Sequence, residues 1–160
     1  MSFNFMMSFK IITNKIFEEI TFLGGILFYA LFSFYFLILG EIKQFSGLIL
    51  ALIFIYSITF FIRLVYYKSR PKKVPYKNLI EKIDSSSFPS LHAARSTLIV
   101  LFLIFAIKLS LIFVLLISVP WLLVLYSRIY LKKHYIVDIF GGIILGVLGL
   151  ILSFLIIWGM

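Results

Sequence analysis

The sequence contains two histidines, His92 and His134, and each stands beside residues suited to phosphate chemistry. Asp138 follows His134 by four residues, and in a helix this spacing puts both side chains on one face. The carboxylate would then accept a hydrogen bond from Nδ1 and leave Nε2 as a free nucleophile. A structural His–Asp bridge is the commoner role of such a pair, so this spacing alone leaves both interpretations open.

The other histidine ends the run from Phe88 to His92, where a helix is predicted to start. Pro89 suits the first helical position, and one of the three serines before Phe88 would cap the helix. This arrangement leaves the amides of Ser90 and Leu91 free to bind an anion, with the Ser90 hydroxyl as a further donor. His92 would share a proton with a bound phosphate ester. The alternative is a capped helix with an interfacial histidine.

Three arginines could bind the oxygens of that phosphate. Arg63 precedes Arg70 by about two helical turns, so both are predicted to point along one groove, and Pro71 is predicted to stop the helix. Arg128 follows Ser127 shortly before the second histidine. Guanidinium groups form forked hydrogen bonds to phosphate that an ammonium cannot match. The alternative for the first two is a pair of arginines snorkelling at a span end.

The composition places these residues in a membrane protein. The 160 residues are 63% hydrophobic and only 13% charged, and the mean hydropathy is +1.17, which excludes a soluble globule and a disordered binder. The net charge of +9 favours an anionic partner such as phosphate groups or acidic headgroups. Basic residues among apolar spans are poorly placed to bind nucleic acid. Without cysteine there is neither a disulfide nor thiolate chemistry.

The fold class predicted is all-α, a polytopic membrane helix bundle of about five transmembrane helices plus an N-terminal interfacial helix. A spanning helix needs about 20 residues, and the third apolar stretch reaches this length only if its helix begins near Ser90. That start draws His92 and Arg95 into the first turns, an expensive placement unless their side chains line a polar cavity. The predicted apolar spans are Ile20–Gly40, Gln44–Ile62, Ser96–Ile107, Leu109–Ser127 and Ile139–Met160.

One membrane face is predicted to hold all the long connections. Residues 1–160 form one domain, in which 68–89 and 128–138 are loops on the active face, the first with a short helix over Tyr76–Ile83. Short turns at Glu41–Lys43 and around Lys108 lie on the other face. Residues 1–19 are predicted to form an amphipathic helix at the membrane surface, because apolar side chains recur there at helical spacing. They are Phe5, Phe9, Ile12 and Ile16.

Several smaller features complete the pattern. Gly142, Gly146 and Gly149 on the last span are predicted to let helices pack closely within the chain, in preference to dimerisation. Arg95 is expected either to contact substrate or to pair with Asp138.

The two histidines and Asp138 could also be considered as ligands of a metal ion. The side chains of His92, His134 and Asp138 are of residue types that bind zinc, but the positive charges of the surrounding arginines and lysines oppose a divalent cation. We therefore predict no metal.

The three motifs, in this order and spacing, resemble the signature of the type 2 phosphatidic acid phosphatase superfamily, whose pattern is K-x6-R-P, then P-S-G-H, then S-R-x5-H-x3-D. Arg63 stands where lysine is usual and keeps the charge. Leu91 stands where glycine is usual, which a helical φ tolerates and a left-handed φ does not. The motifs here are Arg63-x6-Arg70-Pro71, Pro89-Ser90-x-His92 and Ser127-Arg128-x5-His134-x3-Asp138.

The resemblance implies a role for each matching residue. His134 matches the nucleophile that forms a phosphohistidine, and Asp138 matches the carboxylate that orients it. His92 matches the general acid that protonates the leaving oxygen and then activates water. The resemblance also implies that the reaction needs no cofactor and no metal. The phosphate-binding positions match Arg63, Arg70, Ser90, Leu91 through its amide, and Arg128.

The resulting hypothesis is an integral membrane lipid phosphatase that hydrolyses a lipid phosphomonoester or pyrophosphate. The resemblance implies a substrate of the phosphatidate, phosphatidylglycerol phosphate, undecaprenyl pyrophosphate or lipid A 1-phosphate class. A phosphotransferase with the same intermediate is one alternative, and a non-catalytic anion-binding or transport protein is another. The positive-inside rule points to a cytoplasmic active face. Family precedent points to the outer face of the cell membrane, and we expect the latter.

Overall fold

Residues 3–159 are described by the structure, a computed structural model, without the side chains of residues 3–6 and 158. The first two residues of the predicted 1–19 helix, the side chain of Phe5 and the last residue of the fifth predicted span lie outside the described residues. Helices make up 78% of the residues and the described chain has no strand, which confirms the all-α prediction. The α-helices are α1 (Phe3–Thr21), α2 (Ile26–Ile38), α3 (Ile42–Val65), α4 (Leu79–Ser85), α5 (Leu91–Phe105), α6 (Leu111–Tyr130) and α7 (Ile136–Ser153).

The helices of residues 3–159 supply four segments that are long and apolar enough to cross a membrane. The protein is therefore an integral membrane protein. α5, with 15 residues, is shorter than a spanning helix. The four segments are Met7–Ile38, Ile42–Val65, Leu111–Tyr130 and Ile136–Ile157.

The helix of the first predicted span, Ile20–Gly40, is interrupted near its start. A 3-10 turn over Phe22–Gly24 follows α1, and Gly25 is extended with φ −72° and ψ 160°, so α2 starts only at Ile26. Glycine is a poor helix former, and two in succession favour this break. Gly24 is also buried where a β-carbon would lie 3.0 Å from the His92 carbonyl oxygen. The break therefore brings the chain close to the start of α5.

α5 lies at the centre of the bundle and packs against α2, α3, α6 and α7. Its residues from Ala93 to Ile99 are all buried, including Arg95. Ala94, Leu98 and Phe102 belong to the main core, together with Tyr29 of α2. Because other helices surround α5, its side chains pack mainly against protein. The helix therefore need not be long enough to cross the lipid by itself.

α5 and α7 approach closely along a glycine face of α7. A β-carbon on Gly142 would lie 2.4 Å from the Ser90 carbonyl oxygen, and one on Gly146 would lie 2.6 Å from the Ala94 carbonyl oxygen. Only glycine permits backbones this near to each other. The prediction that these glycines serve packing within the chain agrees with this geometry. The same contact places the start of α5 beside the start of α7.

α1 packs along α6 near the active face. The Phe17 ring lies 4.4 Å from that of Tyr130, measured between ring centroids. The apolar side chains Phe9, Ile12 and Ile16, which carried the prediction of an interfacial helix, are all exposed. They are thus available to contact lipid.

The long loop differs from the prediction in two ways. α3 ends at Val65 and Tyr66 is extended, so the helix stops well before Pro71, and Arg70 lies in the loop. The predicted short helix over 76–83 is instead α4, which Asn78 caps by accepting a hydrogen bond from the Glu81 amide at 2.8 Å.

Candidate active site

Two stretches of the long loop run side by side and build one wall of the site. The Ser87 amide donates to the Lys68 carbonyl oxygen at 2.8 Å, and the Lys68 amide donates to Ser86 Oγ at 3.2 Å. The Ser87 hydroxyl donates to the Ser69 carbonyl oxygen at 3.3 Å. These contacts compete with continuation of α3, which explains why the helix ends before Arg70. They also bring the serine run against the start of α7.

His134 lies just ahead of α7 and is 3% exposed. Its Nδ1 is 2.8 Å from the Ser87 carbonyl oxygen and 3.8 Å from Asp138 Oδ2. A carbonyl oxygen only accepts hydrogen bonds, so Nδ1 carries the proton and the lone pair of Nε2 is left free. The expected hydrogen bond from Nδ1 to Asp138 is not formed. The helix begins at Ile136, after the histidine, and this displaces the ring from an ideal i, i+4 position.

Asp138 is buried and has several partners. Oδ2 accepts from the Tyr135 amide at 2.8 Å in a capping box, and Oδ1 pairs with Lys68 Nζ at 2.6 Å. Its backbone carbonyl accepts from the Ser90 amide at 3.0 Å. A buried carboxylate requires such partners, since an unpaired charge there is strongly destabilised. The Ser90 bond also joins the two histidine-bearing segments directly.

Ser90 is the N-cap of α5. The prediction that one of the three serines before Phe88 caps this helix is therefore wrong. Pro89 precedes the cap and does not occupy the first helical position, which is that of Leu91. The Ser90 hydroxyl accepts from the Ala93 amide at 3.4 Å. Its own amide is engaged by Asp138 and is not free, because the glycine face brings α7 within hydrogen-bond reach. Leu91 opens the helix without a left-handed φ, so a side chain is tolerated there. The Leu91 amide remains a first-turn donor.

His92 lies in the first turn of α5 and interacts electrostatically with Arg128 and His134. Both histidines therefore lie at one end of the bundle. Within residues 3–159 its imidazole has no hydrogen-bond partner. Its ring nitrogens are available to an incoming group.

Arg63 is bound to the backbone of the loop that precedes α5. Its guanidinium donates to the carbonyl oxygens of Pro89 at 2.9 Å, Phe88 at 3.3 Å and Ile83 at 3.4 Å. Three of its five N–H groups are thus engaged. This geometry gives it a role in holding the loop, whereas the resemblance implied phosphate binding.

Arg70 and Arg128 each keep a buried donor without a partner. Arg70 Nη2 donates to the Asp84 carbonyl oxygen at 2.6 Å, and Arg128 Nη1 donates to Thr21 Oγ1 at 2.9 Å. In both residues Nε has no acceptor among the described residues. Leaving a charged donor unsatisfied costs about 1–3 kcal/mol or more. An anion bound between these arginines would remove that cost.

Of the two roles expected for Arg95, the pairing with Asp138 is not formed. Arg95 donates to the Gly24 carbonyl oxygen at 2.9 Å and to Tyr56 Oη at 2.6 Å, and it does not contact Asp138. It thereby ties the turn after α1 and the helix α3 to α5. Lys68 occupies the place beside Asp138 that this arginine could have taken.

Positive charge dominates the site. In the described part of the chain none of its arginines has a carboxylate oxygen within 4 Å, and Asp138 is already paired with Lys68. Burial lowers the pKa of His134, and Arg128 and Arg70 act in the same direction, while Asp138 opposes them. Burial also lowers the pKa of Lys133. Residues 3–159 contain no group of three or more acidic or histidine side chains placed to hold a metal.

Three residues near the site were missed by the sequence analysis. Lys68 and Ser87 hold Asp138 and His134, and Thr21 accepts from Arg128 and lies 2.9 Å from Ser127 Oγ. Lys68 stands two residues before the motif arginine, and this proximity was the available signal. Thr21 carried no local signal, because it is more than 100 residues from Arg128 in the chain.

An apolar cavity of about 180 Å³ lies one helical turn below the histidines, between α2, α5 and α6. Ser96 and Val124 form part of its lining, four residues after His92 and four residues before Arg128. Leu23 of the 3-10 turn also lines it. An apolar lining therefore begins one helical turn from His92 along α5 and one turn from Arg128 along α6.

Comparison with known proteins identifies the family. The sequence model of the PAP2 superfamily matches residues 44–159, well over half of the chain. The chain belongs to the PAP2 superfamily, and at that level it is a membrane lipid phosphatase. No curated protein sequence matches the chain.

Two crystal structures share the fold. That of Aquifex aeolicus LpxE is similar with a TM-score of 0.72 and 22% sequence identity, over 89% of this chain and 85% of that one. That of a PAP2 type phosphatidylglycerolphosphate phosphatase from Bacillus subtilis is similar with a TM-score of 0.58 and 25% identity, over 88% of this chain and 74% of that one.

Proposed function

We propose that this protein hydrolyses a lipid phosphomonoester or pyrophosphate through a phosphohistidine on His134. Nε2 attacks phosphorus while the bond from phosphorus to the leaving oxygen breaks, and His92 gives its proton to that oxygen. His92 then takes a proton from water, and the resulting hydroxide attacks phosphorus and breaks the bond to Nε2. Inorganic phosphate leaves, and both histidines return to their starting protonation states.

The buried, unpartnered Nε groups of Arg70 and Arg128 carry this proposal. A transferring phosphoryl group spreads negative charge over its equatorial oxygens, and fixed cations stabilise that charge. Each charge-assisted hydrogen bond contributes about 1.5–3 kcal/mol. The Leu91 amide and the Ser90 hydroxyl are proposed as further donors, while Arg63 acts by holding the loop that carries them.

The nucleophile is supported by its tautomer. Because Ser87 accepts from Nδ1 at 2.8 Å, the nitrogen that remains to attack phosphorus is Nε2. Asp138, at 3.8 Å, stabilises the positive charge that develops on the ring as the bond to phosphorus forms.

A lipid substrate is supported by the apolar cavity below the histidines. A hydrocarbon chain in this cavity would hold its own phosphate at the level of His92 and Arg128, and burying each methylene contributes about 0.8 kcal/mol. The Bacillus subtilis protein with a similar structure is a phosphatidylglycerolphosphate phosphatase, which supports a phosphomonoester of this kind. The other substrate classes named from the resemblance remain within the proposal.

The reaction is proposed to need no metal. The positive charges of Arg70, Arg128 and Lys133 disfavour a divalent cation and supply the stabilisation that a metal would otherwise give. The active face is proposed to lie on the outer side of the cell membrane.

Phosphate release from a panel of lipid phosphates in detergent, with EDTA present, tests these proposals. We expect His134→Ala to reduce the rate by at least about 10⁴-fold, since removing a nucleophile abolishes the covalent route. Lys77→Ala, which removes an exposed side chain from the long loop between α3 and α5, should keep the parent rate. Equal release by the parent and His134→Ala would contradict the histidine nucleophile, and loss of activity on chelation would contradict a reaction without metal.

The alternatives give different products in the same assay. A phosphotransferase would move the phosphate to an added lipid alcohol in preference to water. A non-catalytic anion-binding protein would retain labelled lipid phosphate and release none of its phosphate, with or without His134.

A further inference from the structure

The side chain of Lys68 is the direct ionic partner of Asp138. Nζ lies 2.6 Å from Oδ1 and also lies over the rings of Tyr135, at 4.9 Å, and Phe88, at 5.9 Å, measured to the centroids. The side chain is 23% exposed and the carboxylate is fully buried. Two aromatic faces and one carboxylate therefore hold this ammonium in a fixed place.

The backbone of Lys68 reaches the nucleophile by a second route. Its carbonyl oxygen accepts from the Ser87 amide at 2.8 Å, and the Ser87 carbonyl oxygen in turn is 2.8 Å from His134 Nδ1. Lys68 thus contacts both groups that lie against the nucleophilic ring, Ser87 through the backbone and Asp138 through the side chain.

We propose that Lys68 is a positioning residue whose ammonium pairs with Asp138 and so keeps His134 a neutral nucleophile with its proton on Nδ1. The nearer acceptor for that proton is then the uncharged Ser87 carbonyl. This inference rests on the proposed role of His134 as the nucleophile, and it assigns Lys68 no contact with substrate.

The expected sign follows from the charges around the ring. Asp138 favours the protonated imidazole, and its pairing with Lys68 at 2.6 Å leaves Oδ2 at 3.8 Å from Nδ1, beyond hydrogen-bond distance. Without the ammonium the carboxylate is free to accept from Nδ1. Removing the ammonium therefore raises the pKa of His134. Arg128 of α6 and Arg70 of the long loop disfavour its protonation, and His92 of α5 has a charge interaction of the same sense with the ring. Lys133, which precedes the ring in its own loop, interacts with the same two arginines.

Nuclear magnetic resonance can test this without any assay of activity, because the chain has only two histidines. The full-length protein is labelled with ¹⁵N and ¹³C in histidine, placed in detergent micelles and titrated with acid. His92→Ala assigns the two imidazoles. In the parent we expect the His134 ring to carry its proton on Nδ1 and to remain neutral below the ordinary range of histidine.

In Lys68→Met and in Lys68→Gln we expect the pKa of His134 to rise by about one unit relative to the parent. Two variants are used so that a folding defect in either one does not decide the result. Lys68→Arg keeps the cation and should restore most of the parent titration. Lys73→Met removes a nearby exposed lysine that does not contact Asp138, and it should leave the titration close to that of the parent.

Equal titrations of His134 in Lys68→Met, Lys68→Gln and Lys73→Met would overturn the inference. The route through Asp138 is tested by repeating Lys68→Met in an Asp138→Asn background, where the shift should fall to less than half if Lys68 acts mainly through the carboxylate. A shift of undiminished size there would also overturn the inference.

The pH dependence of kcat gives a second readout. The acid limb, which reports ionisation of the nucleophile in the substrate complex, should move to higher pH in Lys68→Met by about the same amount as the ring titration. A uniform loss of kcat with an unmoved limb would indicate a merely structural lysine. A protein without phosphatase activity whose His134 titrates as predicted would contradict the proposed function, while the effect of Lys68 on the protonation of His134 would still stand.

Discussion

The two helix starts that carry the histidines are built differently. At α7 the ring of His134 precedes the helix and is held by the Ser87 carbonyl, with Asp138 nearby. At α5 the ring of His92 lies inside the first turn, and in the described part of the chain it has no hydrogen-bond partner. A nucleophile benefits from one fixed tautomer and direction, whereas an acid that later acts as a base must exchange protons with substrate and water. The difference fits two distinct roles.

The two starts nevertheless form one unit. The Ser90 amide donates to the Asp138 carbonyl oxygen at 3.0 Å, and the glycine face of α7 allows this approach. Stabilising one segment therefore stabilises the other. Variants at each helix start can therefore distinguish effects on catalysis from effects on the packing of the two helices.

The largest effect that distinguishes the two rings is expected from His92→Ala. Loss of a general acid and base should lower kcat by about 10²–10⁴-fold. With a nitrophenyl phosphate ester, whose leaving group needs no proton, the phosphoenzyme should form and then persist because water is no longer activated. Rapid quenching at alkaline pH followed by mass spectrometry locates the phosphate.

The parent protein with the same ester is the control and should show little phosphoenzyme. Phosphate on a residue other than His134, or no phosphoenzyme in His92→Ala, would contradict the division of roles between the histidines.

A smaller effect, on the contact between the two starts, is expected from Gly142→Ala. The added β-carbon would lie 2.4 Å from the Ser90 carbonyl oxygen, so α5 and α7 must separate. Overpacking of this kind costs about 1–3 kcal/mol of the free energy of unfolding. Thermal unfolding in detergent and kcat should both fall.

Gly149→Ala is the matched control, since it adds the same carbon to the same helix where the nearest atom, Cγ1 of Ile55, is 3.3 Å away and belongs to a side chain that can move. Equal losses in the two variants would show that the contact between the helix starts has no special importance.

The smallest effect is expected from Leu91→Gly, which restores the residue usual in the family. Because Leu91 opens α5 without a left-handed φ, its side chain imposes no backbone strain. We expect kcat/KM to stay within about fivefold of the parent, equivalent to about 1 kcal/mol. A gain of tenfold or more would show that the side chain obstructs phosphate binding at the Leu91 amide.

Much of the fold could be predicted because hydrophobic stretches of spanning length are visible in the sequence. The all-α membrane bundle and the start of α5 near Ser90 were predicted correctly. Boundaries were less accurate: α2 starts six residues after the predicted Ile20, and α3 ends before Arg70. In the first case a glycine pair breaks the helix, and in the second, hydrogen bonds to a distant serine run compete with helical ones.

The sequence by itself determined the membrane environment and the residue types that can bind and transfer phosphate, because composition and local spacing are properties of neighbouring residues. The tertiary structure alone decided the partners: Ser87 accepts from His134, Lys68 pairs with Asp138, and Arg63 holds loop carbonyls. A buried charge or donor takes whichever partner the packed helices bring within about 3 Å. That choice depends on how close α7 comes to α5 and on where α3 ends, and both are set by contacts between segments far apart in the chain.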